Sequence, residues 1–249
     1  MTWSFETFWA YLLDPRIVWA ALVTLGVASA AQAAATVVGF VVALGLRSAH
    51  WILRVPALAY VWLFRGTPPL IQLLLLYFGL PQLGIRLSVL QAGLLSLSCY
   101  GAAYMAEIIR GALASIDRGQ IEAAQSIGLS RFEIMRTVLL PQAIRLILPP
   151  LGNEFTSMMR TTSLLSVISF QELLRVTTLA ISETFRPFEL YSVAALYYLA
   201  MATAWMALQS TLERSFAVGT DRTSAKKSIW DDLVRLVARP RSVTKGAAS

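Results

Sequence analysis

Residues 117–141 read Asp117-Arg-Gly-Gln-Ile-Glu122-Ala-Ala-Gln-Ser-Ile-Gly128-Leu-Ser130-Arg-Phe-Glu133-Ile-Met-Arg-Thr-Val-Leu-Leu140-Pro141, a polar island between long apolar runs. Local chemistry predicts two helices joined by a tight corner. Ile121 to Ile127 forms the first, and Gly128 suits the left-handed conformation that ends many helices. Ser130 and Glu133 form an S-x-x-E capping box for the second helix. Pro141 is expected to break that helix, because it lacks an amide donor and its ring collides with the preceding turn. Glu122 falls in the first turn of the first helix, where the dipole favours negative charge. Ala123 and Ala124 are small enough for another surface to come close. Spacing alone leaves two readings open: an ordinary helical hairpin between membrane spans, or an element that docks on another protein.

Composition bounds the class. Hydrophobic residues make up 57% of the 249 and charged residues 14%, and the mean hydropathy is +0.63. Those values describe an integral membrane protein. One cysteine, Cys99, and one histidine, His50, exclude a disulfide framework and any credible Cys/His metal cluster or nucleophilic pair. The sequence has no G-x-x-x-x-G-K-[ST] run to cradle a phosphate. Any ATP chemistry therefore belongs to a partner.

The chain begins with a segment, 1–16, carrying Trp3, Phe5, Phe8, Trp9 and Tyr11 beside Glu6 and Asp14. It suits a short helix lying at a membrane interface. No basic region precedes the apolar run, so the segment is expected to be retained rather than cleaved as a signal. A first span is expected from Ile17 to Leu46, with Ala35, Gly39 and Ala43 as a small-xxx-small packing face. Ile52 to Phe64, bounded by Arg47, Arg54 and Arg65, is too short to cross and reads as a helix near the cytoplasmic surface. A second span is expected over Gly66 to Leu80, started by Pro68 and Pro69. The third, Val89 to Ile109, places Ser96, Tyr100, Ala103 and Glu107 on one face. An acid at such a depth must face a cavity or a partner, or pair one turn away with Arg110.

The fourth span is expected from Ile144 to Phe170, interrupted by Pro149 and Pro150. Asn153, Thr156, Ser157, Arg160 and Ser163 share one face of it, with Glu154 off its centre. Unsatisfied polar groups are costly in hydrocarbon, so this stripe must face water or protein. It is either a wall of the substrate path or a hydrogen-bonding face toward neighbouring helices or a second subunit. Residues 171–189 read as an external loop with a short helix, and the fifth span as Leu190 to Leu212. Basic residues fix the orientation. With the N-terminus outside, internal segments hold Arg47, Arg54, Arg65, Arg110, Arg118, Arg131, Arg136, Arg145, Arg214 and the basic residues that follow. External ones hold only Arg16, Arg86, Arg175 and Arg186. The 117–141 loop is therefore cytoplasmic.

That loop resembles the EAA loop of the membrane subunits of ATP-binding-cassette (ABC) importers, of the form E-A-A-x3-G-x9-I-x-L-P. Glu122, Ala123, Ala124, Gly128, Leu140 and Pro141 match, and Val138 stands for the Ile. Three further stretches look like the polar amino acid branch of that family. They are Arg65-Gly66-Thr67-Pro68-Pro69-Leu70-Ile71-Gln72-Leu73, with Pro69 replacing the usual Leu; Ala103-Tyr104-Met105-Ala106-Glu107 with Arg110-Gly111; and Asn153 and Phe155 followed by Thr162-Ser163-Leu164. Arg160 and Thr161 depart from the family's Lys-Asp before that Thr, which removes a landmark for the substrate.

The resemblance implies an all-α integral membrane protein with five transmembrane helices and a MetI-like type I importer core. The N-terminus would be periplasmic and the C-terminus cytoplasmic, in the bacterial inner membrane. It also implies a permease domain over 17–215, and a coupling role for Glu122, Ala123, Ala124, Gly128, Leu140 and Pro141. Partners would be a cytoplasmic ABC ATPase dimer that binds the ATP, a periplasmic amino-acid-binding protein, and a second permease subunit, either a copy or a paralogue. The chain itself would carry no cofactor or metal and perform no covalent chemistry. Glu107, Asn153, Glu154, Thr156, Ser157, Arg160, Thr162 and Ser163 are the candidate substrate path. The competing class is an ion-coupled secondary amino acid transporter, with Glu107, Glu154 and Arg160 as a relay. A basic tail, 216–249, is expected to be partly disordered, with an amphipathic stretch from Ile229 to Val237.

Overall fold

The computed structural model describes residues 3–216; the tail's expected amphipathic stretch lies outside them. All regular structure among the described residues is helical. Helix α1 (Phe5–Leu12) is capped by the Ser4 hydroxyl. It is fastened to the last helix, α10 (Pro187–Phe216), by three contacts. The Ser4 amide donates to Glu189 Oε1 at 2.9 Å, the Tyr197 hydroxyl donates to the Leu12 carbonyl at 2.6 Å, and the Trp3 and Phe188 rings meet edge to face at 5.3 Å. Phe5 and Trp9 are left exposed on the outer side, as an interfacial helix requires.

Helix α2 (Pro15–Arg47) spans 33 residues and packs most extensively on α5 (Val89–Ala114). The expected small-residue face supplies the contact, with Ala31, Ala35 and Ala43 fully buried against Ala102, Met105 and Ala106. A Cβ on Gly39 would lie 2.6 Å from Met105 Cβ and 2.9 Å from the Ala102 carbonyl, so this crossing is as tight as two backbones permit. In lipid such closeness, not apolar burial, is what holds helices together.

The segment between α2 and α5 differs from expectation. Helix α3 (Trp51–Gly66) and a second arm, α4 (Pro69–Leu74) continued by a π turn (Leu75–Gly79) and a 3-10 turn (Leu80–Leu83), meet at 106°. They qualify as one crossing only when taken together, which brings the candidate spans among the described residues from four to five. A 16-residue helix reaches only about 24 Å, short of the roughly 30 Å core. The expected surface helix and second span are thus two arms of one bent unit. Trp51, Ile52, Val55 and Trp62 project outward from α3, which fits lipid contact along that arm.

Past α5 come α6 (Arg118–Ser126), α7 (Arg131–Ile134) with a π turn (Met135–Leu139), and α8 (Leu140–Thr161) with a 3-10 extension (Thr162–Ile168). Pro141 does not break this run; from Arg131 to Ile168 it qualifies as one span of 38 residues. The wider π turn, closed by the Leu140 amide on the Met135 carbonyl, brings the chain to Pro141 at the first helical positions of α8. There a missing amide costs nothing. Pro149 and Pro150 likewise lie inside α8 without ending it. Helix α10 reaches across to this stretch, with Gln209 Nε2 donating to the Pro149 carbonyl at 3.2 Å and Trp205 Nε1 to the Gly152 carbonyl at 2.9 Å. Helix α9 (Leu173–Thr184) follows, and α10 closes the bundle.

Candidate functional site

The cytoplasmic corner follows its local chemistry closely. Asp117 caps α6 through the Gly119 amide at 2.8 Å, so the helix starts at Arg118 instead of Ile121 and Glu122 falls in its second turn, beyond the dipole's favoured first turn. The helix ends with Gly128 at φ +85°, while the Leu129 amide closes on the Ala124 carbonyl at 3.1 Å and the Gly128 amide on the Gln125 carbonyl at 3.0 Å. No neighbouring atom would touch a Cβ at Gly128, so the requirement for glycine there comes from the backbone angle alone. The capping box is complete: the Glu133 amide donates to Ser130 Oγ at 3.3 Å and the Ser130 amide to Glu133 Oε2 at 2.8 Å.

The two alanines of the corner part company. Ala124 is buried in the same cluster as Ile134, Leu139 and Ala143, whereas Glu122 and Ala123 face outward. Ile127 is 78% exposed and Phe132 73% exposed beside them. Leu140 and Pro141 open α8 at the membrane end. Between the corner and the span, Gln142 Nε2 donates to Gln120 Oε1 and also to the Val138 carbonyl. One side chain therefore ties α6 to the π turn and to α8. Sequence reasoning missed Gln120, Gln142, Ile127 and Phe132; the exposed apolar pair was legible only as a break in the polarity of the island.

The Arg65–Gln72 stretch turns out to build the bent corner. Gln72 Nε2 donates to the Phe64 carbonyl at 3.0 Å, the Thr67 carbonyl at 3.1 Å and Thr67 Oγ1 at 2.9 Å. It thereby satisfies carbonyls orphaned where α3 stops. The Thr67 hydroxyl bonds back to Leu63 at 2.8 Å. Pro68 and Pro69 start the second arm, and Gly66 meets no neighbour. Arg65 swings to α5, stacking 5.2 Å over the Tyr104 ring with its guanidinium 3.8 Å from Glu107 Oε2. Glu107 also takes Arg110 at 2.7 Å. The expected Glu107–Arg110 pair is present, and Arg65 makes it a triad across two helices.

On α8, Asn153 and Arg160 are exposed, and Glu154, Thr156, Ser157 and Ser163 are half-buried. Several of their polar atoms are satisfied within the helix: Thr156 Oγ1 donates to the Gly152 carbonyl, Ser163 Oγ to Arg160, and Arg160 Nε reaches the Thr156 carbonyl at 3.4 Å. Glu154 lies within electrostatic reach of Tyr100 on α5, whose ring meets Tyr104 at 4.9 Å. One polar face thus runs over both helices. Thr162 stands apart, fully buried with its hydroxyl on the Met159 carbonyl. Ser96 is buried too.

Glu172, expected in an external loop, is instead completely buried at the head of α9. Its carboxylate accepts the Leu174 amide at 2.9 Å, the Arg175 amide at 2.6 Å and the Tyr198 hydroxyl at 3.2 Å. Burial pushes its pKa up to about 7 despite those three donors. The adjoining Leu173 amide donates to Thr24 on α2 at 3.0 Å. No group of three or more His, Cys, Asp or Glu side chains capable of holding a metal occurs among the described residues.

Residues 35–218 match the family model described as binding-protein-dependent transport system inner membrane component. The chain belongs to this family. Curated relatives of this permease include the probable amino-acid ABC transporter permease protein YckA of Bacillus subtilis, 39% identical over 78% of this chain and 86% of that protein. The octopine transport system permease protein OccM of Rhizobium meliloti is 40% identical over 76% and 84%. The glutamine transport system permease protein GlnP of Escherichia coli K12 is 33% identical over 88% of this chain and 100% of its own. A crystal structure of an amino acid ABC transporter with histidines superimposes with TM-score 0.81 at 38% identity, covering 86% of this chain and all of that one. The MetNI methionine ABC transporter in an inward-facing form superimposes with TM-score 0.67 at 19% identity, a likeness of fold. This permease is therefore a multi-pass inner-membrane ABC transporter subunit with the MetI-like fold.

Proposed function

We propose that this permease carries polar amino acids or closely related compounds inward, and that it takes the energy from a cytoplasmic ATPase dimer that docks on the α6–α7 corner. The observation that carries this reading is the corner's construction. Its outward side offers Glu122, Ala123, Ile127 and Phe132 to a partner, while its inward side is joined to α8 through Ala124 and the Gln120–Gln142 bond. Displacement of α6 would reach α8, and α8 carries the polar face with Asn153, Glu154, Thr156, Ser157 and Arg160. A periplasmic binding protein would deliver the substrate. A second permease subunit, a copy or a paralogue, would complete a path whose polar face lacks a lid on one side. Movement of one subunit against the other would then expose the path to alternate sides.

In a reconstituted complex with its ATPase and binding protein, Gly128→Asp forces a side chain onto a left-handed residue, and Glu122→Lys inverts the charge on the docking side. Both are expected to lower ATP-driven uptake by about tenfold or more, the size of a lost coupling free energy, with the folded permease still recovered from the membrane. Normal uptake in both variants would refute the docking role. Binding-protein-dependent relatives and the cytoplasmic corner support this reading over an ion-coupled secondary transporter.

A further inference from the structure

On the side of the bundle away from the polar face, α2, α5 and α8 enclose a groove of about 400 Å³ lined by Phe40, Val41, Ile109, Leu113, Ile144, Leu151 and their apolar neighbours. Its one hydroxyl-bearing wall residue, Thr36, turns its oxygen back to the Gln32 carbonyl at 2.8 Å. Helical register sets it opposite the polar face. Ile109 lies two residues, about 200°, around α5 from Glu107, and Leu151 the same step around α8 from Asn153. A second subunit that shares the polar face would therefore leave this groove to lipid.

The groove is in the cytoplasmic half. α2 runs inward, and the Ala114 end of α5 and the Leu140 end of α8 are both cytoplasmic by the distribution of basic residues. Along α2 the apolar line continues through exposed Leu44 and ends at Arg47, which lies on the face of Phe40 two turns, about 10 Å, nearer the cytoplasm. Arg136 stands one turn before Leu140 on the α8 side. Both arginines are exposed, and neither has an ion-pair partner among the described residues. An apolar slot at leaflet depth, closed toward the cytoplasm by unpaired cations, has the chemistry of an anionic phospholipid: tail in the slot, phosphate at its mouth.

We propose that this groove binds one acyl chain of an anionic phospholipid of the cytoplasmic leaflet, with Arg47 and Arg136 holding its headgroup. The bound chain lies against Ile109, Leu140 and Ile144, beside the π turn through which the cytoplasmic corner joins α8. It fills space that would otherwise be left to loose lipid.

Native mass spectrometry of the full-length permease in mild detergent, titrated with phosphatidylglycerol or phosphatidylcholine of the same acyl chains, tests this independently of transport. A preferred phosphatidylglycerol adduct is expected. The Arg47→Gln/Arg136→Gln double variant should bind it roughly thirtyfold more weakly, and Val41→Trp, which fills the groove, should bind neither lipid at the site. The quenching that a Phe40→Trp substitution adds to that of the seven native tryptophans should appear at lower concentrations of brominated phosphatidylglycerol than of the brominated choline lipid. Equal quenching by the two lipids, or an adduct unaffected by groove filling, overturns the proposal. So does a disulfide between copies formed by Val37→Cys in native membranes, because it would show a second subunit covering the groove.

Discussion

At the scale of single residues, close backbone approach and buried charge carry the sharpest expectations. Gly39 exists because α5 leaves no room for a Cβ; Gly39→Ala would have to push Met105 and the Ala102 carbonyl aside. Overpacking of this kind costs about 1–3 kcal/mol, and a lower thermal midpoint in detergent would register it. Gly26→Ala in the same helix meets no atom within 4 Å and should be neutral or stabilising by about 0.5–1 kcal/mol. Glu172 is the second case. Its folded pKa of about 7 stands above the ordinary 4.5, so the fold favours the protonated form. That stabilisation is fully present below about pH 4.5 and is lost as pH rises through 7, a change of roughly 3 kcal/mol. Thermal unfolding between pH 5 and 8 should show the wild type losing stability with rising pH and Glu172→Gln losing less. Parallel slopes would contradict the assignment. Nothing in the sequence marks Glu172 as buried, since it follows Ser169, Phe170 and Gln171 in what reads as a polar connection. Its burial arises from packing of α9 and α10 against α2, which is long-range in the chain.

At the scale of elements, what was legible divides by the range of the forces. The end of α6 and the start of α7 follow from Gly128, Ser130 and Glu133, all acting within four residues, whereas the start of α6 was placed three residues late because the Asp117 cap was not recognised. The α2 packing face followed from four-residue spacing. Pro141 misled, because its effect depends on whether the preceding turn can widen, and the π turn at Met135–Leu139 does so. The 106° corner was missed for a related reason. Thr67, Pro68 and Pro69 announce a stop and a start, but the angle between the arms is set by Gln72 folding back over three acceptors. Gln72→Leu should therefore strand the Phe64 and Thr67 carbonyls and cost about 1–3 kcal/mol. Cysteine cross-linking between α3 and α5 would report the opened corner, and an unchanged cross-linking pattern and midpoint would remove Gln72 from that role. The Arg65–Glu107–Arg110 triad anchors the same corner to α5. Two of its members were paired from i,i+3 spacing, and the third came from a separate helix that spacing does not reach.

For the whole molecule, the distribution of arginines sets the topology, and the fold then sorts surfaces by what they must meet. The cytoplasmic corner exposes Ile127 and Phe132, the α5–α8 face exposes polar side chains, and the opposite side offers an apolar groove with exposed Arg47 and Arg136 toward its cytoplasmic end. The polar stripe was readable as a stripe because its period matches the helix; Thr162, placed on the path by the family resemblance and not by that period, is buried about half a turn away from Asn153. We propose that transport is driven through the corner by another subunit's ATP hydrolysis. The most direct test is uptake of radiolabelled amino acids into proteoliposomes holding the permease with or without its ATPase, in the presence of the binding protein. Uptake is expected only with the ATPase present and supplied with ATP, and no response to proton or sodium gradients alone. Gradient-driven accumulation by the permease without the ATPase would contradict the account.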